Sequence, residues 1–145
     1  MSIAAPRAKN REGNNGKSVY LIDGSGYIYR AYHAIRGLSN SRGLPTNAVF
    51  GFTRMLMKLL EEQSPQWIVM FFDAKGPTFR HDIFPDYKAH RPPMPEDLVV
   101  QLPYIKKVTR GFNIETVELQ GYEADDLIGT AARAAVQQGY EVVVV

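Results

Sequence analysis

Trp67-Ile68-Val69-Met70-Phe71-Phe72-Asp73 is the stretch on which the fold turns. Apolar residues with no polar break read as a strand covered on both faces, the pattern of a buried parallel sheet. The run stops on an acid. Upstream, Val19-Tyr20-Leu21-Ile22 has the same character and ends on Asp23-Gly24. Between the two, residues 27–35 read as a short helix stopped near Gly37, and 39–45 as loop. Thr46 is placed to cap a helix carrying Val49, Phe50, Thr53, Leu56, Met57 and Leu60 at three- and four-residue spacing, closed by Ser64-Pro65.

Beyond Asp73 the pattern dissolves into glycine, proline, aromatics and mixed charge over residues 74–95, a connection too long to be an ordinary link. A helix restarts at Pro95, with Glu96 and Asp97 in its first turn and Lys106, Lys107 and Arg110 in its last. Pro103 is expected to kink it, and Gly111 to end it. A weak strand over 113–119 leads to Gly121-Tyr122-Glu123-Ala124-Asp125-Asp126, then an alanine-rich helix to Gly139 and a strand over 142–145. Strand and helix in alternation specify an α/β fold with a parallel sheet.

Acids then fall at equivalent places. Asp23 follows the first strand, Asp73 the second, and Glu123, Asp125 and Asp126 the third. In a parallel sheet all strand ends of one polarity share one edge, where ligands bind. Taken singly, each acid has an ordinary explanation: Asp23-Gly24 as a turn, Asp73 as a loop residue, and the last three as first-turn acids of a helix. Together they are expected on one edge, pointing at a common centre. Two like charges about 4 Å apart repel by roughly 4 kcal/mol at an effective dielectric of about 20, so such a cluster requires protons or cations. Carboxylates without cysteine or a nearby histidine pair select hard ions, Mg²⁺ or Mn²⁺. Ions held this way activate water and stabilise the leaving oxygen of a phosphoryl displacement.

The connection after Asp73 interleaves Lys75, Arg80, Lys88 and Arg91 with Phe79, Phe84 and Tyr87. Rings that stack on bases, alternating with cations that hold phosphates, suit single-stranded nucleic acid. This segment is expected to be mobile and to order on DNA. Arg42, in Ser41-Arg42-Gly43, is a further phosphate candidate. His33, His81 and His90 read as packing or surface residues.

Leu21-Ile22-Asp23-Gly24, Tyr29-Arg30-Ala31-Tyr32-His33-Ala34, Gly51-Phe52, Phe72-Asp73-Ala74-Lys75, Phe79-Arg80-His81, Tyr87-Lys88-Ala89-His90-Arg91 and the Gly121 to Asp126 motif together resemble the 5′→3′ nuclease domain at the amino terminus of bacterial DNA polymerase I, a relative of flap endonucleases. The resemblance runs over residues 18–145. It implies a three-layer, PIN-like (Rossmann-like) nuclease core and a metal-dependent 5′→3′ exonuclease or flap endonuclease. The substrate would be DNA with a 5′ flap or 5′ end, or an RNA primer on DNA, in replication and repair. It assigns Asp23, Asp73, Glu123, Asp125 and Asp126 to the metal. Lys88 and Arg91 become catalytic residues of an arch over 74–95. Arg42, Lys75, Arg80 and Tyr87 join them as DNA contacts. The family's later acids and its helix-hairpin-helix region have no counterpart before Val145. The chain is therefore expected to be the front half of the domain, truncated at its C-terminal side, and to cleave little by itself.

Composition bounds the reading. With 145 residues and 45% hydrophobic content the chain supports one core. It has no cysteine, which excludes thiolate metal sites and disulfides and fits a reducing, cytoplasmic setting. No run is apolar enough for a membrane span. Arg7, Lys9, Arg11 and Lys17 against Glu12 make residues 1–17 a basic leader, expected to be disordered, so the net charge of +2 is no signal of DNA binding. A monomer is expected. An aspartyl phosphatase would need a second Asp two residues after Asp23, where Ser25 stands, and a receiver domain would need a closing lysine. A PIN-type ribonuclease, or a fragment that binds DNA or metal without cutting, are the alternatives.

Overall fold

The structure, a computed structural model, describes residues 17–145. Most of the expected basic leader lies outside the described residues. Four parallel strands, β1 (Ser18–Asp23), β2 (Trp67–Phe71), β3 (Glu115–Val117) and β4 (Glu141–Val144), form one sheet in the order β3-β2-β1-β4. The helices are α1 (Gly24–Ala34), α2 (Asn47–Gln63), α3 (Phe79–Ile83), α4 (Glu96–Val99), α5 (Leu102–Gly111) and α6 (Ala124–Gln137). Among the described residues, no helix is long and apolar enough to cross a membrane.

The continuous apolar strands are explained by what covers them. Ile22, Met70 and Phe72 enter one core with Tyr27 and Ile28 of α1, Phe52 and Leu56 of α2, Leu98 of α4 and Ile105 of α5. Their sequence neighbours Leu21 and Phe71 point to the other face and pack on Ala124 and Ile128 of α6. Alternate residues of each strand thus bury in opposite layers, giving the expected three-layer α/β arrangement. Strand order reverses at β1, which has β2 on one side and β4 on the other, and that is where a parallel sheet opens a crevice.

Local chemistry departs from the expectations at several points. α1 begins directly after β1, earlier than residue 27, with Asp23 as its N-cap accepting from the Gly26 amide at 3.0 Å. Only glycine fits at 24: a Cβ there would stand 2.7 Å from the Phe71 carbonyl oxygen and 2.6 Å from the Phe72 ring. Thr46 occupies the N-cap position of α2 but makes no side-chain capping bond. The fully buried Gln101 takes that role from 53 residues away, its Oε1 accepting from the Ala48 and Val49 amides at 2.8 and 3.1 Å. Gln101 Nε2 donates to Asn47 Oδ1 and to the Asp97 carbonyl, each at 2.8 Å, and Asn47 Nδ2 donates to the carbonyls of Tyr32 and Ile35. Pro103 does not kink a continuous helix. It stands in the first turn of α5, where its missing N–H costs nothing, and the short α4 is a separate turn. The helix end near Gly111 is completed by Asn113 in the left-handed region, φ 58°.

This polar knot, centred on the buried Gln101, joins α1, α2 and α4. Gln101→Leu keeps the volume but leaves amide donors and Asn47 Oδ1 without partners, which costs about 1–3 kcal/mol. Urea unfolding of that variant is expected to show a lower midpoint with an unchanged slope. A midpoint equal to that of the native sequence would mean that Thr46 or water caps α2 equally well.

Candidate metal centre

Each acid reaches the carboxyl edge of the sheet by the route its sequence position implies. Asp23 is the last residue of β1, and its amide donates to the Val145 carbonyl at 2.9 Å. Asp73 follows β2 by two residues. Its amide donates to Ser25 Oγ at 3.1 Å and its Oδ1 accepts from the Ala124 amide at 2.6 Å. Asp73 is thereby held between the start of α1 and the start of α6. Glu123 is the N-cap of α6, and Asp125 and Asp126 lie in its first turn.

The five carboxylates divide by what surrounds them. Asp125 meets negative charge: partial burial, and then Asp23, Asp73 and Glu123, push its carboxyl above the usual carboxylate range, with Lys88 acting the other way. Asp126 meets positive charge: its hydrogen bonds from Arg80 hold it below that range. Arg80 grips Asp126 through both nitrogens, Nη1–Oδ2 2.7 Å and Nη2–Oδ1 2.6 Å, and Nη1 reaches Glu123 Oε2 at 2.9 Å. Lys88 Nζ donates to the other oxygen, Glu123 Oε1, at 2.5 Å. That contact, with help from the Tyr87 hydroxyl, raises the Lys88 pKa against the effect of burial. Lys88 holds a left-handed backbone, φ 54°, an arrangement that costs a non-glycine residue free energy and persists only when its surroundings fix it.

A cavity of about 400 Å³ opens at the β1–β4 side of the edge, lined by Asp23, Tyr27, Arg30, Asp125, Ile128 and Val145 among others. Arg30 is the residue that sequence reasoning did not single out. Its guanidinium lies 5.5 Å from the Tyr27 ring centre, and no carboxylate among the described residues pairs with it. The signal was its place on the first helix, two turns after an edge acid and on the same face.

The carboxylates share the edge, yet no three described acids or histidines stand as a ready coordination shell. The reason is electrostatic. Three of them turn to nearby donors: Asp23 to the Gly26 amide, Asp73 to the Ala124 amide, Glu123 to Lys88 and Arg80. Asp125 accepts no hydrogen bond among the described residues, and the like charges around it outweigh Lys88. Hard oxygen donors with surplus negative charge suit a hard divalent cation. The histidines do not enter: His81 Nδ1 accepts from the Thr78 amide at 2.9 Å as part of the α3 cap.

The remaining cations are dispersed. Lys75 and Arg91 are exposed on the 74–95 segment, the latter with its amide on the Lys88 carbonyl. Arg42 is exposed in the loop after α1, its amide on Asn40 Oδ1. The structure does not bring it to the acids. Tyr87 leans on the centre, its hydroxyl 3.4 Å from Glu123 Oε2 and its ring against His81 and Lys88.

The sequence profile of the family described as "5'-3' exonuclease, N-terminal resolvase-like domain" matches residues 18–145. Among curated relatives, a "5'-3' exonuclease" of Aquifex aeolicus is 45% identical over 126 residues, 87% of this chain and 44% of that protein. "DNA polymerase I" of Bacillus caldotenax is 46% identical over 129 residues, 89% of this chain and 15% of that protein. The chain thus spans less than half the length of these relatives. Two solved structures share the fold: a T5 5′-exonuclease with divalent zinc ions bound (TM-score 0.60, 18% identity, 88% of this chain and 48% of that one), and a bacteriophage T5 flap endonuclease in a pseudo-enzyme–product complex with DNA and metal ions (TM-score 0.59, 17% identity, 88% and 48%).

The opposed surroundings of Asp125 and Asp126 set a test in metal-free buffer. An acid whose folded pKa is raised binds its proton before the unfolded chain does, so the folded state gains stability as pH falls toward the ordinary aspartate value of 3.8. Asp125→Asn removes that gain and is expected to melt higher than the native sequence at pH 7, by roughly 4 °C for each kcal/mol of repulsion relieved. Asp126→Asn removes stability that is present above the ordinary value and lost below it, and is expected to melt lower at pH 7. A lower melting point for Asp125→Asn would show that this carboxylate is not under repulsion.

Proposed function

The chain belongs to the 5'-3' exonuclease, N-terminal resolvase-like domain family, and on that premise we propose that its edge carboxylates form the metal centre of a structure-specific nuclease that hydrolyses DNA from a 5′ end or at a 5′ flap. The observation that carries the reading is the meeting of acids from three strand ends at the sheet's ligand-binding edge: Asp23 and Asp125 line one cavity, Asp73 holds the Ala124 amide beside them, and Glu123 carries Lys88 from the segment that also supplies Arg91. We assign Asp23, Asp73, Glu123 and Asp125 to a divalent ion, Mg²⁺ or Mn²⁺. When bound, such an ion activates water and stabilises the leaving oxygen of an in-line displacement.

The protein's own groups do the positioning. Lys88, whose ammonium stands on Glu123 Oε1, is the group placed to meet the scissile phosphate. Arg91 grips the same strand. Arg30, at the mouth of the cavity and without a carboxylate partner, takes the phosphate on the far side. Lys75 and Arg42 extend the cationic path, and Tyr87 offers a ring to an unpaired base. The enzyme acts as a monomer in the cytoplasm, on replication and repair intermediates that include primer RNA on DNA.

Assay of the intact protein on a 5′-flap substrate with Mg²⁺ or Mn²⁺ is expected to show cleavage that chelator removes. Asp73→Ala should lower it by roughly 100-fold or more, the few kcal/mol that a catalytic ion contributes. Lys88→Ala should slow single-turnover cleavage at saturating DNA far more than it weakens binding. Weakened binding with a normal single-turnover rate would make Lys88 a docking residue. Cleavage of single-stranded RNA with the flap left intact would overturn the substrate.

A further inference from the structure

Asp125 and Asp126 are adjacent in sequence and face different chemistry. Asp125 lines the cavity that holds Asp23. Asp126 lines a separate cavity of about 440 Å³ with Phe79, Leu119, Tyr122, Leu127 and Thr130. Among the described residues, every hydrogen bond to the Asp126 carboxylate comes from an N–H donor: Arg80 Nη2 to Oδ1, and Arg80 Nη1 and the Glu123 amide, the latter at 3.0 Å, to Oδ2. A carboxylate held by a planar guanidinium fork and a backbone amide is neutralised where it stands, and an incoming ion would have to break short charge-assisted bonds to claim it.

Arg80 is tied down from its other sides as well. Its guanidinium stands 4.6 Å from the Phe79 ring centre and 5.9 Å from that of Tyr87. The Phe79 amide donates to the Gly121 carbonyl at 2.8 Å, and the Phe79 ring lies 5.7 Å from that of Tyr122. The Phe79 contacts and the Arg80 ion pairs join α3 to residues 121–126, while the ring contacts of Arg80 hold α3 and the turn at Tyr87 together. Lys88 is carried on the same unit: the Phe84 amide bonds back to Arg80, the Tyr87 amide to Phe84, and the Arg91 amide to Lys88. Moving Arg80 would therefore move the ammonium that sits on Glu123.

Resting on the metal-centre reading above, we propose that Arg80 and Asp126 form a latch that fixes residues 79–91 on the start of α6. Asp126 is then a positioning residue that sets Lys88 beside the centre, and is not a ligand of the ion. Arg80, in turn, serves this latch and not the DNA backbone. The fork geometry explains the residue type, since lysine could not bridge both oxygens of Asp126 and reach Glu123 together.

The test compares Arg80→Gln, Asp126→Asn, their double variant and Asp125→Asn in the intact protein. Asparagine at 126 retains an oxygen for the Glu123 amide, so the α6 cap survives. In hydrogen exchange, Arg80→Gln and Asp126→Asn should each speed exchange of the 79–91 amides by about 10-fold or more, and the double variant no further than Arg80→Gln alone, because that variant has already lost the Arg80–Asp126 contact. Mn²⁺ titration should give Asp126→Asn an affinity within about 2-fold of the native protein, with Asp125→Asn weaker by roughly 10-fold or more. On a 5′-flap substrate, Arg80→Gln and Asp126→Asn should lower the single-turnover rate about 10-fold or more at unchanged Mn²⁺ affinity. Loss of Mn²⁺ affinity in Asp126→Asn equal to that in Asp125→Asn overturns the proposal, as do exchange effects that add in the double variant. If the native protein bound no Mn²⁺ and cut no flap, the metal-centre reading would fail while the exchange cycle still decided the latch.

Discussion

Repulsion among carboxylates at one sheet edge is the constraint from which the rest of this structure follows. The parallel topology brings Asp23, Asp73 and the acids of α6 together because every strand ends on the same side. Nothing in the packing of the two cores requires acids there; short polar residues would end the strands as well. The fold instead spends backbone amides, an α-helix start and two cations on keeping them in place. A site arranged against its own stability in this way is where function is to be sought.

The compensation is unequal, and the inequality carries meaning. Arg80 neutralises Asp126 with a bidentate grip on partly buried groups, whereas Lys88 contacts Glu123 as a single point charge on a flexible stem. One pairing is built to persist and the other to be exchanged. Asp125, exposed at the edge beside three like charges, is a position where an added cation relieves repulsion. The 74–95 segment is anchored through α3 at one end and through the Tyr32 hydroxyl on Asp97, at 2.9 Å, just past the other. Its exposed middle, with Lys88 and Arg91, lies between two fixed points.

How much of this was legible in the sequence varies by kind of signal. Unbroken apolar runs ending on acids gave the parallel sheet and the shared edge, since strand polarity and residue period are local properties. The Asp23 cap and Gly24 contact were hidden, because they depend on how closely β1 approaches Phe71 and Phe72. Gln101 capping α2 across 53 residues has no local signature, and Thr46 offered a false one. α3 was visible in hindsight as Thr78 followed three residues later by His81, a capping box with histidine in place of glutamate. At the site, Arg80 read as a DNA contact because its spacing among aromatics says nothing about which carboxylate it meets. Asp126 read as a metal ligand, with a first-turn helix acid as the ordinary alternative, because sequence does not show that its oxygens meet Arg80 and the Glu123 amide.

The central claim is that the edge is a divalent-ion centre with Lys88 set beside it. Anomalous diffraction from crystals of the protein grown or soaked with Mn²⁺ addresses it directly. The account predicts an anomalous peak among the carboxylates of Asp73, Glu123 and Asp125, with the Lys88 ammonium withdrawn from Glu123 and Arg80 still on Asp126. Mn²⁺ located elsewhere, or an edge without a peak where Lys88 keeps its bond to Glu123, would contradict it.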